Sequence, residues 1–293
     1  MGRIFVIANQ KGGVGKTSVA VNLAASMAHY GRRVLLVDLD PQGNATTGSG
    51  VDKGACERTV YGVLLGEYAA AEAIRPCEGG YDIVPANRDL AGAEVELIAM
   101  DDREYRLRDA LAPAAAGYDF VVIDCPPALN MLTVNGFAAA DAVIIPMQCE
   151  YYALEGLSDL VGTLRKVKQN LNPRIEIEAL VRTMYDPRST LTVQVSDELK
   201  RHYGGKVFDT VIPRNIRIAE APSFGKPVLL HDPSSKGAVA HLQFARELLG
   251  RNGFVVEEEP ARAATRGSGA AWTRCWAAPS AAAPATTSSR SCR

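Results

Sequence analysis

The segment that most limits how this chain can fold reads Gln10-Lys11-Gly12-Gly13-Val14-Gly15-Lys16-Thr17. It stands between an apolar run at residues 4–8 and a helical repeat that starts near Ala20. Gly12, Gly13 and Gly15 allow tight turns that aim successive backbone N–H groups into one concave face. Together with the N-terminus of the following helix, those donors form a cradle for an anion. Lys16 is placed to reach the β- and γ-phosphates of a nucleotide, and the Thr17 hydroxyl to ligate Mg²⁺. The end of the segment fits the phosphate-loop pattern G-x-x-x-x-G-K-[ST], and its strand–loop–helix context is the one that pattern requires. The first glycine position holds Gln10, and an additional lysine, Lys11, stands inside the loop. A flexible glycine-rich turn with stray lysines would not need that context.

The rest of the chain repeats this strand-then-helix rhythm. Short apolar runs at 4–8, 34–38, 81–85, 120–124, 142–147, 177–183 and 207–212 are rich in Val and Ile. Continuous apolar runs mark strands buried on both faces. Helix-length segments separate them. Ala20, Leu23, Ala24, Met27 and Ala28 form one apolar stripe, with Gly31 as its C-terminal stop. Residues 93–112, 155–169 and 234–249 also read as helices, the last ended by Gly250. The alternation predicts an α/β fold: a doubly wound, mostly parallel sheet with helices on both faces, as in P-loop NTPases. Within the 293 residues, 1–256 read as one such domain. Residues 257–293 open with Glu-Glu-Glu-Pro and continue in Ala, Arg, Ser, Thr and Pro without periodicity, which predicts a disordered low-complexity tail. Its composition resembles that of a GC-rich gene read in a shifted frame, so a genuine tail and a frame-shift product both remain open readings.

Two strand ends carry acids. Asp38 and Asp40 close the run at 34–38, and their two-residue spacing predicts that they face the same side. Asp124 closes the run at 120–124, just before Cys125-Pro126-Pro127. Acids at strand C-termini beside a phosphate loop are placed to orient a metal's water shell. A lone acid could cap the next helix instead; three acids on two strand ends favour the metal. Cys125 has no spaced thiol partner, and none of the six cysteines forms a CxxC pair, so they read as reduced, packed thiols. The N-terminal apolar run is too short for a signal peptide, and no apolar run approaches the ~18 residues of a membrane span, so a cytoplasmic protein without membrane attachment is expected.

The net charge of −1 gives no global sign of nucleic-acid binding. Residues 160–227, however, hold twelve Lys/Arg against seven Asp/Glu. A local basic surplus on a near-neutral protein either contacts a phosphate backbone or is a solvated face.

Residues 11–17, 38–44 and 124–127 resemble the deviant Walker A, switch I and Walker B/switch II segments of the ParA/MinD ATPases. The stretches Gln148-Cys149-Glu150-Tyr151-Tyr152-Ala153-Leu154-Glu155-Gly156, Ile212-Pro213-Arg214-Asn215-Ile216-Arg217 and Glu220-Ala221-Pro222-Ser223-Phe224-Gly225-Lys226-Pro227 narrow the likeness to the short chromosomal ParA proteins, also called Soj. The similarity runs from about residue 2 to 250. It implies an ATP hydrolase, weak alone and stimulated by a partner, that segregates DNA with ATP and Mg²⁺ as cofactors. Lys11, Gly12, Gly13, Val14, Gly15, Lys16, Thr17 and Ser18 would hold the phosphates. Thr17, Asp40 and Asp124 would serve the metal, with Asp38 behind them. Lys11, Lys16 and Asp40 would be catalytic, Asp40 by positioning the attacking water. Thr183, Met184, Pro213, Arg214 and Glu220 would surround adenine. Lys11 and Gly12 would lie at the interface of an ATP-dependent homodimer, Lys11 reaching the partner's nucleotide. Arg188 and Arg217 would contact non-specific double-stranded DNA, and a ParB-like centromere-binding protein would trigger hydrolysis. The implied location is the nucleoid.

Departures are modest. Ser18 stands where Thr is common, Phe224 occupies a variable position, and the tail has no counterpart. With the loop starting at residue 10, an N-terminal helix-turn-helix of the larger plasmid type is not expected. Competing readings are a MinD-like septum-site ATPase, which needs a basic amphipathic C-terminal helix, an iron-protein-type reductase, and a nucleotide-gated scaffold positioning cargo other than DNA.

Overall fold

The computed structural model describes residues 2–256; the expected 257–293 tail lies outside the described residues. Eight strands build one sheet: β1 (Arg3–Ile7), β2 (Val34–Asp38), β3 (Arg75–Pro76), β4 (Asp82–Val84), β5 (Phe120–Asp124), β6 (Ala142–Gln148), β7 (Glu176–Tyr185) and β8 (Val207–Pro213). Their order is β3-β4-β2-β5-β1-β6-β7-β8, and every pairing is parallel except β3 with β4. The short antiparallel edge strand β3 has no signal in the sequence; the other strands fall on the apolar runs.

Successive residues of the central strands serve opposite faces, and both faces are covered, which is why the runs are continuously apolar. Ile4 and Val6 of β1, Leu35 and Val37 of β2, and Val121 and Ile123 of β5 enter one core. Phe5 and Ile7, Val34 and Leu36, and Phe120 and Val122 enter the other.

The helices follow in chain order: α1 (Lys16–His29), α2 (Asn44–Gly48), α3 (Val60–Leu65), α4 (Ala70–Ala73), α5 (Leu90–Ile98), α6 (Arg106–Ala115), α7 (Met131–Ala139), α8 (Ala153–Asn170), α9 (Thr190–Tyr203), α10 (Ile216–Glu220), α11 (Val228–His231) and α12 (Lys236–Arg251). α1 and α12 pack on one another and cover one face; apolar residues of α3 through α9 cover the other.

Two helix expectations need correction. The helix expected over 93–112 is two, α5 and α6. Between them the charged segment Asp101-Asp102-Arg103-Glu104 interrupts the apolar spacing, and Asp102 turns left-handed at φ 51°. The last helix runs through Gly250 to Arg251, and the left-handed glycine beyond it is Gly253, at φ 80°. Gly31 does stop α1, at φ 73° with its N–H donated to the Ala28 carbonyl at 2.8 Å. Strand order reverses about β1, so the loops after β1, β2, β5, β7 and β8 gather at one sheet edge, where open α/β sheets bind ligands.

Candidate functional site

Helices α7, α9 and α12 begin with a side-chain cap. Asn130, Ser189 and Ser235 accept from the backbone N–H groups of Thr133, Thr192 and Ala238. Helix α1 begins with none: Gly15 stands before it at φ 90°, and no side chain takes up its first amides. Gly13, at φ 73°, supplies the other left-handed turn. The first turn of α1 therefore presents unpaired donors and a positive dipole end. Lys16, 7% exposed, lies beside them, its ammonium 3.3 Å from the Lys11 carbonyl oxygen. Burial lowers its pKa against the opposing pull of Asp124 and Asp40.

The acids divide into two kinds. Asp38 and Asp124 sit at paired positions of β2 and β5, both fully buried. Asp38 accepts from the Thr46 amide at 2.8 Å, the Thr46 hydroxyl at 2.7 Å and the Asp40 amide at 3.2 Å. Its charge is spent on folding the 39–46 loop. Strand β2 ends at Asp38, so strand alternation does not extend to Asp40, whose carboxylate accepts from the Gln42 amide at 2.9 Å.

Asp124 is different: both its oxygens are buried without a hydrogen-bond partner. Burial, then the charge of Asp38, pushes its pKa well up, with the nearby Thr17 hydroxyl only partly opposing. A buried carboxylate left orphaned by its own chain is matched to an external cation or a water held by one. Beside it stand the Thr17 hydroxyl and Asp40, hard oxygen donors suited to Mg²⁺. Among the described residues no group of three His, Cys, Asp or Glu is placed to hold a metal alone. Mg²⁺ needs none, because it takes its remaining oxygens from phosphates and water. The residues fit the ion.

A cavity of about 160 Å³ continues from the loop along α1. Gly15, Ser18, Thr183, Met184, Pro213 and Arg214 lie on its wall, drawn from the ends of α1, β7 and β8. The Thr183 hydroxyl donates to the Val14 carbonyl at 2.8 Å, tying β7 to the loop. Met184 is held left-handed at φ 49°, a strained conformation for a side chain of its size. Glu220 is not on this wall; its carboxylate pairs with Arg217 at 2.8 Å. His241, with no motif around it, is on the wall.

The remaining expected residues lie outside the cavity. The Lys11 ammonium pairs with Glu150 at 2.6 Å, both side chains about half exposed. A Cβ added at Gly12 would meet nothing within 4 Å among the described residues. Arg188 is held by both oxygens of Asp186, at 2.9 and 2.8 Å. Arg217 is held by Glu220 and, at 3.3 Å, by Asp232. Cys125 is buried and its thiol pKa is pushed well up by burial, as befits a packed, unreactive thiol. No helix among the described residues is long and apolar enough to cross a membrane.

A family model described as "AAA domain" matches residues 2–177. The chain is 53% identical over 253 residues to the chromosome partitioning protein ParA of Myxococcus xanthus, covering 86% of this chain and 89% of that one. It is 50% identical over 249 residues to the sporulation initiation inhibitor protein Soj of Bacillus subtilis, covering 85% and 98%. Among solved structures, the cobyrinic acid a,c-diamide synthase of Mycobacterium smegmatis with bound ATP analog and magnesium superposes with a TM-score of 0.76 at 39% identity, over 86% of this chain and 96% of that one.

Proposed function

The chain belongs to the ParA/Soj family of chromosome-partitioning ATPases, and from that premise we propose that it is a nucleotide-gated DNA-segregation motor, acting through an ATP-bound dimer on non-specific DNA. The orphaned Asp124 carboxylate, facing Lys16 and the uncapped end of α1, carries this reading. A chain does not leave a buried acid and a helix terminus unsatisfied side by side unless a ligand of mixed charge completes them.

ATP is the substrate. Its phosphates take the α1 amides, Lys16 and the Thr17 and Ser18 hydroxyls, and its base enters the cavity lined by Thr183, Met184, Pro213 and Arg214. Thr17, Asp40 and Asp124 would hold Mg²⁺, directly or through water, which supplies charge neutralisation between the phosphates. Asp40 orients the attacking water. Phosphoryl transfer demands further positive charge on the γ-phosphate. Lys11 supplies it across the dimer by leaving Glu150, so hydrolysis requires two chains. Gly12 supports that geometry: nothing among the described residues crowds it, so a second copy is where a steric need for glycine would arise.

Dimerisation doubles the basic surface that includes Arg188 and Arg217. Non-specific affinity then rises steeply and becomes salt-dependent, reaching about 10⁻⁴–10⁻⁶ M or tighter at moderate salt. A ParB-like partner accelerates hydrolysis and frees the dimer from DNA. Residues 1–256 act as the ATPase domain of a cytoplasmic, nucleoid-associated protein. Arg188→Glu and Arg217→Glu should keep ATP-dependent dimerisation, read by sedimentation, and lose DNA in a gel shift on unrelated sequence. Loss of dimerisation in these variants would sink the DNA role given to them.

A further inference from the structure

A trans peptide points its carbonyl and the next residue's N–H in opposite directions, so a group that holds the carbonyl also aims the amide. Two carbonyls of the phosphate loop are held in this way. The Val14 carbonyl accepts from the Thr183 hydroxyl at 2.8 Å, which turns the Gly15 amide away from β7. The Gly13 carbonyl accepts from the side-chain Nε2 of Gln148, the last residue of β6, at 3.1 Å, which turns the Val14 amide away from that strand. Neither amide bonds another backbone group among the described residues, and both are left as donors for an anion. Gln148 also reaches further. An amide nitrogen carries two hydrogens, and its Nε2 lies 2.8 Å from the Met184 sulfur. A carbonyl and a thioether only accept, so both contacts fix which end of the amide faces them. Gly13 and Met184 are both left-handed, at φ 73° and 49°. One shapes the phosphate turn, the other stands on the cavity wall, and the half-buried Gln148 side chain bonds to both.

We propose that Gln148 is a positioning residue of the nucleotide site: its amide holds the Gly13 turn and the Met184 wall in one geometry, so that phosphates and base are seated together. The inference rests on the ATP-site reading above and gives Gln148 no contact with the nucleotide itself. A glycine turn has little conformational preference of its own, and a strained residue such as Met184 keeps its backbone angles only where its surroundings hold them. Each therefore needs an outside tie, and one side chain supplies both. Donors set in advance bind more tightly than donors the ligand must order.

Calorimetric titration of the full chain with ATP and Mg²⁺ tests this. Gln148→Leu, which nearly keeps the volume and removes both donors, should weaken ATP binding about tenfold. Gln148→Glu keeps the length and sets an acceptor against the Gly13 carbonyl, so its loss should be at least as large. In a Met184→Leu background, where the sulfur is gone, Gln148→Leu should weaken ATP by only about threefold, because one of its two bonds is already missing. Unchanged ATP affinity in Gln148→Leu and Gln148→Glu overturns the proposal, whatever happens to their unfolding midpoints, because a merely structural residue would move stability alone. The same loss in both backgrounds overturns it as well, since the amide would then act on the loop without the wall. No ATP binding by the wild type overturns the ATP-site reading beneath it instead.

Discussion

The nucleotide cradle and the basic segment that follows it solve opposite electrostatic problems. In the cradle, groups are left unpaired: the α1 amides have no side-chain cap, and Asp124 has no hydrogen-bond partner. On the basic segment, groups are already paired: Arg188 is gripped by Asp186, and Arg217 by Glu220 and Asp232. A site that must bind a small ligand tightly is preorganised around vacated hydrogen bonds. Under the proposed function, arginines with internal partners suit a surface that holds DNA only in one nucleotide state: phosphates compete weakly for the arginines of one chain and more strongly for those of a dimer.

The largest effect that would break this contrast comes from Asp124. Asp124→Asn should lower ATP turnover by about 100-fold, while raising nucleotide-free stability, because burial disfavours the ionised form of the carboxyl that it replaces. Turnover and thermal unfolding measured on one preparation check both. Its strand neighbour should behave in the reverse manner. Asp38→Ala strips three hydrogen bonds from the 39–46 loop and should cost about 2 kcal/mol of stability in a denaturant titration. If the two variants shift stability in the same direction, the division of labour between these acids is wrong.

A comparable effect follows from His241. Its folded pKa, about 4, lies below the ordinary 6.5, so between those values the unfolded chain binds the additional proton and stability falls with acidification. Between pH 6.5 and 5 the wild type should lose about 2 kcal/mol more than His241→Phe, read as the difference in slope of unfolding free energy against pH. Parallel slopes would mean the ring is not held neutral by burial.

The smallest effect lies on the basic segment. Asp186→Asn frees Arg188, and Glu220→Gln leaves Arg217 with Asp232 alone. DNA affinity with ATP should then rise about two- to fivefold, with a steeper dependence on salt. Fluorescence anisotropy across a salt series would detect it, and weaker binding would show that these acids orient the arginines rather than compete with phosphate.

What could be read in advance follows the range of the interactions involved. Gly13, Gly15, Lys16 and Thr17 lie within one turn and the first turn of a helix, so their geometry is local and the residue order carries it. The strands were legible because both of their faces are buried. Helices such as α2, α4, α10 and α11 are too short to show a period. The partners of the site residues come from distant sequence: Thr46 on Asp38, Glu150 on Lys11 and Asp232 on Arg217. Glu220 was expected at adenine from its place in a motif, yet its carboxylate is held by Arg217. His241 had no motif at all.

DNA binding by Lys16→Ala against the wild type, with and without ATP and Mg²⁺, tests most directly whether the cradle governs the basic surface. The wild type should shift unrelated DNA only with ATP, and Lys16→Ala should lose that dependence together with the shift. ATP-dependent DNA binding that survives in Lys16→Ala would contradict the link between the phosphate loop and the arginines.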